Sequence, residues 1–92
     1  MEIVINEKKY EVIEGKDAID IELLQEKITD YFDDFDYILG DYAYGKLRLK
    51  GFNDKKNKNF KPMNDYAKIH DYIKNNCAYG CKYFILKKNW KR

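Results

Sequence analysis

Short runs of apolar, β-branched and aromatic residues predict five strands along the chain. They cover residues 2–6, 10–13, 37–39, 46–50 and 82–87. The fourth run alternates strictly, so Leu47 and Leu49 should face the core while the cations between them face solvent. The fifth run is apolar on both faces, which is typical of a central strand in a sheet covered on both sides.

Apolar residues at helical spacing predict two amphipathic helices, at about 19–33 and about 65–75. The stripe of the first consists of Ile21, Leu24, Ile28, Phe32 and Phe35, and that of the second of Tyr66, Ile69 and Ile73. Asp17 or Asp20 can cap the first helix, and Asn64 or Asp65 the second. The order is β-β-α-β-β-α-β. We therefore predict one α+β domain over residues 1–92, with an antiparallel or mixed sheet of about five strands.

The connection between the third and fourth strands predicts a hairpin turn with an unusual aromatic content. Gly40, Asp41 and Gly45 favour a turn. Tyr42 and Tyr44, however, stand where a plain turn would carry small polar side chains. Either both rings fold back onto the sheet as a lid with their hydroxyls at the rim, or they form a stacking or docking surface beside the cations of the fourth strand.

These three cations, the basic row Lys46, Arg48 and Lys50, would be spaced at roughly 6.6 Å along one strand face. A basic row beside exposed aromatic rings suits an RNA backbone with unstacked bases, and it also suits an acidic protein. The leading functional prediction is a non-enzymatic binding module for RNA or a ribonucleoprotein. Its predicted contacts are Asp41, Tyr42, Tyr44 and the basic row, with Lys55, Lys56 and Lys58 of the following polar loop as auxiliary charge.

Four aspartates crowd the predicted end of the first helix, where the helix dipole favours cations instead. They are Asp30, Asp33, Asp34 and Asp36. A solvated surface is one interpretation, and a metal site is disfavoured because no calcium-loop pattern is present. The alternative functional prediction is a protein–protein adaptor, in which Asp30, Asp33, Asp34 and the aromatic turn hold a basic or apolar partner.

The charge of the chain is unevenly distributed, although its net value is only +2. Residues 1–52 carry a net charge of −6, and residues 53–92 carry +8. Such asymmetry favours a charged partner. An alternative origin is codon bias towards lysine, because only two of the 18 basic residues are arginine, whose planar fork suits phosphate recognition better.

The inventory of reactive side chains predicts no catalytic site, cofactor or metal. The chain has no serine and one histidine, and it has no glycine-rich phosphate loop. Cys77, Cys81 and His70 supply three potential zinc ligands where a structural site needs four, although a Cys–His pair is compatible with the sequence. Two closely spaced cysteines, no apolar run of about 18 residues and no signal-peptide pattern at the start predict a cytoplasmic protein without a membrane segment.

Two runs of the chain resemble the YutD-like family. They are residues 36–52, with the pattern GDxxYGxLRLKGF, and residues 77–87, with the pattern CxxGCxYF. Tyr42 and Ala43 stand where the family is expected to carry Trp and Gly. The resemblance implies a mixed α/β domain in the cytosol of low-GC Gram-positive bacteria. It implies no catalytic residues, because the family has no established activity.

Overall fold

Five strands form one fully antiparallel sheet in the computed structural model, which describes residues 1–43, 45–76 and 82–89. The strands are β1 (Glu2–Ile5), β2 (Lys8–Glu14), β3 (Tyr37–Ala43), β4 (Lys46–Phe52) and β5 (Tyr83–Lys88). The α-helices are α1 (Ile21–Lys27) and α2 (Ile69–Asn76). The strand order across the sheet is β1-β2-β5-β3-β4. The α+β class and the predicted order of elements are confirmed. No helix in the described ranges has the length and apolar character needed to cross a bilayer.

Two apolar clusters cover the two faces of the sheet. On the α1 face, Leu24 and Ile28 pack against strand residues that include Ile38, Phe84 and Leu86. On the α2 face, the cluster consists of Tyr37, Leu39, Phe52, Ile69 and Ile85, flanked by Tyr66, Tyr72 and Ile73. Since β5 contributes fully buried side chains to both faces, its predicted central position is confirmed.

The first helix is shorter than the predicted range of 19–33, because the chain leaves helical geometry after α1. Thr29 then caps a separate 3-10 segment, Asp30–Asp34, with its hydroxyl. Asp30 and Asp33 therefore lie in the first turn of a helical segment, where backbone amides favour acidic side chains. For Asp30 and Asp33, the expected conflict with the helix dipole is therefore absent, because these two residues begin a helical segment.

The second helix agrees better with its prediction at about 65–75. Asp65 accepts a hydrogen bond from the Ala67 amide at 3.0 Å and caps a 3-10 turn, Tyr66–Lys68, that leads into α2. The inner stripe is confirmed in that Ile69 is buried and Tyr66 and Ile73 pack against the same cluster. The apolar stripe of α2 therefore packs on one face of the sheet, as expected for an amphipathic helix.

The hairpin between β3 and β4 has a tighter turn than the sequence suggests. The two strands pair without interruption up to Ala43 and Lys46, so only positions 44 and 45 connect them. Gly40 and Asp41, predicted as turn residues, lie inside β3. Gly45 has a φ of 75°, as a two-residue hairpin turn requires.

Two glycines of this hairpin are needed for close packing. A Cβ added to Gly40 would lie 2.1 Å from Cζ of Phe84, and one added to Gly51 would lie 2.2 Å from Cγ of Phe35. Gly51 pairs regularly with Ile38, so β4 continues through this glycine without a bulge. Each glycine leaves room for an aromatic ring that lies flat on the sheet.

Candidate functional site: the β4 edge and its neighbouring cleft

The predicted aromatic partner of the basic row lies on the other side of the sheet. Tyr42 faces α1: its ring packs against the α1-face cluster, and its hydroxyl donates a hydrogen bond to the Ala18 carbonyl at 2.7 Å. Burial raises the pKa of Tyr42 accordingly. The lid interpretation thus holds for Tyr42, and the stacking surface beside the basic row is wrong for this residue. Tyr44 lies outside the described residues.

Asp41 belongs to the fold and is not exposed for binding. It is 7% exposed, and it faces Arg48 directly across the β3–β4 pair. Nε of Arg48 lies 3.2 Å from Oδ1 of Asp41, and Nη2 lies 2.5 Å from Oδ2. This two-point ion pair compensates the buried carboxylate. Much of the positive charge of Arg48 is therefore compensated by Asp41 within the protein.

The outer members of the basic row differ in exposure. Lys46 is exposed, whereas Lys50 is half-buried with its Nζ 5.2 Å from the ring centre of Phe52 and 5.4 Å from that of Tyr72. These are cation–π distances. Both lysines lie on the α2 face beside the Asp41–Arg48 pair, so this strand face has a net positive charge.

The auxiliary lysines Lys55, Lys56 and Lys58 are exposed, as expected for a polar loop. Their loop is held by a residue that the sequence reasoning missed, the fully buried Asn53. Its Oδ1 accepts hydrogen bonds from the Asp36 amide at 2.8 Å and from Nδ2 of Asn57 at 3.1 Å. Lys56 and Lys58 line clefts that are also lined by Lys88, away from the basic row.

The three aspartates of the alternative prediction have different roles. Asp33 is paired with Lys8 and Lys88, and the hydrogen bond from Lys8 lowers the pKa of the Asp33 carboxyl. Asp30 and Asp34 are exposed, and Asp30 makes only a longer contact of 3.4 Å with Lys8. Asp33 therefore fixes the 3-10 segment to the sheet, while Asp30 and Asp34 face solvent.

An edge cleft of about 580 Å³ lies beside β4, between the Asp30–Asp34 segment and residues 59–64. Its lining includes Tyr31, Asp34, Phe35, Leu49, Gly51 and Met63. Tyr31 is 69% exposed and Met63 is 75% exposed. Sequence reasoning missed this cleft, because it combines three segments that are distant along the chain. The only local signal was a tyrosine placed among aspartates.

β4 forms an edge of the sheet, since β3 is its only strand neighbour in the described ranges. The last β3–β4 pair before the turn is Ala43–Lys46, and the backbone groups of successive residues in a strand point in alternate directions. The amides and carbonyls of the even-numbered residues of β4 therefore point towards β3, and those of the odd-numbered residues point outwards. Asn53 fits this scheme. Its amide donates to the Asn64 carbonyl at 2.7 Å, and its carbonyl accepts from the Tyr66 amide at 3.0 Å. The outward groups of Leu47 and Leu49 precede this covered position.

His70, which the sequence left between a structural role and a Cys–His pair, is exposed and lies on Glu14. Its Nε2 lies 2.5 Å from Oε2 of Glu14, and the Tyr83 hydroxyl donates to Oε1 of the same carboxylate at 2.8 Å. The hydrogen bond with His70 lowers the pKa of Glu14. Cys77 and Cys81 lie outside the described residues. Within the described ranges, no three potential metal ligands lie together.

A family model described as "Putative antitoxin YutD-like" matches residues 4–87. The chain belongs to the YutD-like family. It is 36% identical over 87 residues to a Bacillus subtilis protein described as "Putative antitoxin YutD", covering 94% of this chain and 96% of the relative. The solution NMR structure of protein yutD from B. subtilis is similar to this YutD-like fold, with a TM-score of 0.78, 35% identity, and coverage of 99% of this chain and 84% of the other.

The first motif by which the YutD-like family was recognised covers the β3–β4 hairpin. Within it, Gly40 and Gly51 make room for aromatic rings, and Asp41 and Arg48 form the cross-strand ion pair. In this YutD-like chain the motif therefore supports the hairpin, whereas the apolar walls of the edge cleft at Tyr31 and Met63 lie outside it.

Proposed function

We propose that this YutD-like chain is a non-enzymatic, cytosolic protein-binding module that holds a partner protein at the edge cleft. The observation that carries the proposal is the exposure of Tyr31 and Met63, by 69% and 75%, on two walls of one cleft. Large apolar side chains that are exposed together and rimmed by polar groups are typical of interaction sites. Tyrosine is also enriched among the residues that dominate binding energy.

The acidic part of the adaptor hypothesis fits the same place. Asp30 and Asp34 are exposed on either side of Tyr31, so the cleft has an acidic border on the side of the 3-10 segment. The description of the B. subtilis relative as "Putative antitoxin YutD" supports a binding role, because an antitoxin acts by counteracting another molecule. A protein toxin is the partner that this surface fits.

The test is a pull-down from a lysate of the bacterium that encodes the chain, with and without nuclease, followed by titration of the purified partner. We expect Tyr31→Ala/Met63→Ala to weaken binding of that partner by roughly 30-fold, as loss of a hot spot does. The matched control is Val4→Ala/Ile13→Ala, which removes two exposed apolar side chains at the far side of the sheet. Equal affinity of the cleft variant and the control would exclude the edge cleft as the site.

RNA binding is the second candidate, and the exposure of Lys55, Lys56 and Lys58 on one loop favours it. Lys87, which is exposed, lines the same cleft as Lys56 and adds one cation beside this loop. We expect Lys55→Gln/Lys56→Gln/Lys58→Gln to weaken binding of single-stranded RNA and to flatten the plot of log affinity against log salt by about 0.7 per lost phosphate contact. An unchanged slope, or capture that survives nuclease, would contradict this candidate.

A further inference from the structure

Asn53, the residue that follows β4, already forms an isolated parallel bridge with Asp65 of its own chain. The Asn64 carbonyl and the Tyr66 amide, on either side of Asp65, form both backbone hydrogen bonds with Asn53. The accessible part of the edge ends before this bridge, because Gly51 is already buried beneath the Phe35 ring. The edge that precedes it, at Leu47 and Leu49, directs amides and carbonyls outwards in the same way. No described residue forms a backbone hydrogen bond with these outward groups, and unpaired groups on an edge strand are a template for a further strand.

We propose that the partner protein contributes an extended segment of alternating acidic and apolar residues, which pairs with β4 as a sixth strand. This inference rests on the proposed function, since it names the partner chemistry of the same surface. Strand addition of this kind obtains affinity from main-chain hydrogen bonds and specificity from alternate side chains. Leu47 and Leu49 would supply the backbone groups, and the two faces of the hairpin would select the side chains.

The α2 face of β4 selects acidic side chains. Lys46 and Lys50 lie there on either side of Arg48, which is itself compensated by Asp41. Residues directly opposite each other on neighbouring strands interact, and opposite charges stabilise such a pair. A partner strand with carboxylates opposite the two lysines would therefore be favoured, and one with lysines would be rejected.

The α1 face selects apolar side chains. Leu47 and Leu49 face α1, and Leu49 also lines the edge cleft together with Tyr31 and Met63. An apolar partner side chain beside Leu49 would thus continue the strand and enter the cleft. The edge cleft and the outer edge of β4 thus form one surface. This accounts for the position of two exposed apolar side chains, Tyr31 and Met63, beside an edge strand.

A second copy of this chain is a poor occupant of the same edge. In any antiparallel β4–β4 register that uses the outward groups of Leu47 and Leu49, members of the basic row of one copy face members of the basic row of the other. Like charges directly opposite each other destabilise strand pairing, and lysines on edge strands commonly prevent self-association in this way. The basic row therefore disfavours pairing between the β4 strands of two copies, while it favours pairing with an acidic strand.

The probe is a capped seven-residue peptide in which Glu and Val alternate, titrated into the full chain labelled with ¹⁵N. We expect amide hydrogen exchange at Leu47 and Leu49 to slow at least tenfold at saturation. The amides of Arg48 and Lys50, which already point towards β3, should change little. A peptide of the same composition with its Glu and Val residues in two blocks should give no such protection, and a Lys–Val peptide should not bind.

Reversal of charge gives the specificity test. In Lys46→Glu/Lys50→Glu the preference should invert, with roughly tenfold weaker binding of the Glu–Val peptide and measurable binding of the Lys–Val peptide. Unchanged exchange at Leu47 and Leu49, or an uninverted preference, would overturn the inference. If Tyr31→Ala/Met63→Ala loses the natural partner while the peptide leaves β4 unprotected, strand pairing alone fails. If the peptide protects β4 but the cleft variant keeps its partner, the proposed function fails instead.

Discussion

Removal of the Arg48 side chain should destabilise the fold before it affects any partner. Asp41 is 7% exposed and depends on the Arg48 guanidinium, which contacts both of its oxygens at 3.2 and 2.5 Å. Arg48→Ala leaves the carboxylate buried without these two hydrogen bonds. Charge reversal of Arg48, an obvious test of a basic binding face, would place a second acid against Asp41.

The size of the effect follows from the asymmetry of the pair. The Asp41 side chain is 10% exposed and that of Arg48 is 50% exposed, so the pair lies between a surface and a buried ion pair. Exposed pairs contribute about 0.2–1 kcal/mol, and breaking a fully buried one costs about 3–5 kcal/mol. We expect Arg48→Ala to lower the free energy of unfolding by about 2 kcal/mol. For a domain of this size, that lowers Tm by roughly 10 °C.

The assay is urea unfolding followed by circular dichroism, with Lys46→Ala as the control. Lys46 belongs to the same strand face but is exposed, so its removal should change the free energy of unfolding by less than about 0.5 kcal/mol. A double-mutant cycle with Asp41→Asn should give a coupling energy of about 1 kcal/mol or more. If Arg48→Ala costs no more than the control, the ion pair does not support the fold. Arg48 would then return to the set of candidate binding residues.

Three further predictions concern the core and a pH-dependent contact. Gly40→Ala should cost about 2–3 kcal/mol in unfolding experiments, because its Cβ would lie 2.1 Å from the buried Phe84 ring; Phe84→Leu in the same chain should relieve part of that cost. Tyr10→Phe should raise the free energy of unfolding by about 1 kcal/mol, because the buried Tyr10 hydroxyl has no hydrogen-bond partner among the described residues. Finally, His70 lowers the pKa of Glu14, so stability present above the ordinary carboxyl pKa of 4.5 should be lost as pH falls through the lower folded value. An acid titration of Tm for His70→Ala should show a smaller loss, because only the Tyr83 hydroxyl then lowers the pKa of Glu14.

Patterns within one element predicted the fold well. Strict alternation in 46–50 and apolar residues on both faces of the last strand identified β4 and β5, because side chains in a strand must point to opposite faces. The same argument predicted the central position of β5. The register with neighbouring strands was not predicted, because pairing depends on contacts between residues that are distant along the chain.

Features that depend on neighbouring elements were not predictable in the same way. The helix predicted at 19–33 ends at Lys27, and the extended residues Ile28 and Thr29 separate it from the next helical segment, which the Thr29 hydroxyl caps. The sequence predicts Gly40 as a turn residue, whereas a glycine is needed there because the Phe84 ring, which is distant along the chain, lies directly above it. The sequence likewise predicts Asp41 as a binding residue of the turn, because its pairing with Arg48 is not apparent from the sequence alone. Its partner is seven residues away and becomes adjacent only through the register of the hairpin.

The β3–β4 hairpin thus serves the fold and the proposed interaction with different groups of the same strand. The even-numbered residues of β4 bond to β3, and Arg48 among them compensates a buried acid. The odd-numbered residues direct their side chains to the α1 face and their backbone groups outwards, towards the partner strand that we propose. A substitution of a β4 side chain that supports the fold, such as Arg48, therefore tests the fold and binding together. An amide-to-ester replacement at Leu47 and Leu49 removes the outward donors and leaves every side chain in place. It also weakens the carbonyls of Lys46 and Arg48, which belong to the same peptide groups and point towards β3, so the loss of binding must be compared with the change in the free energy of unfolding.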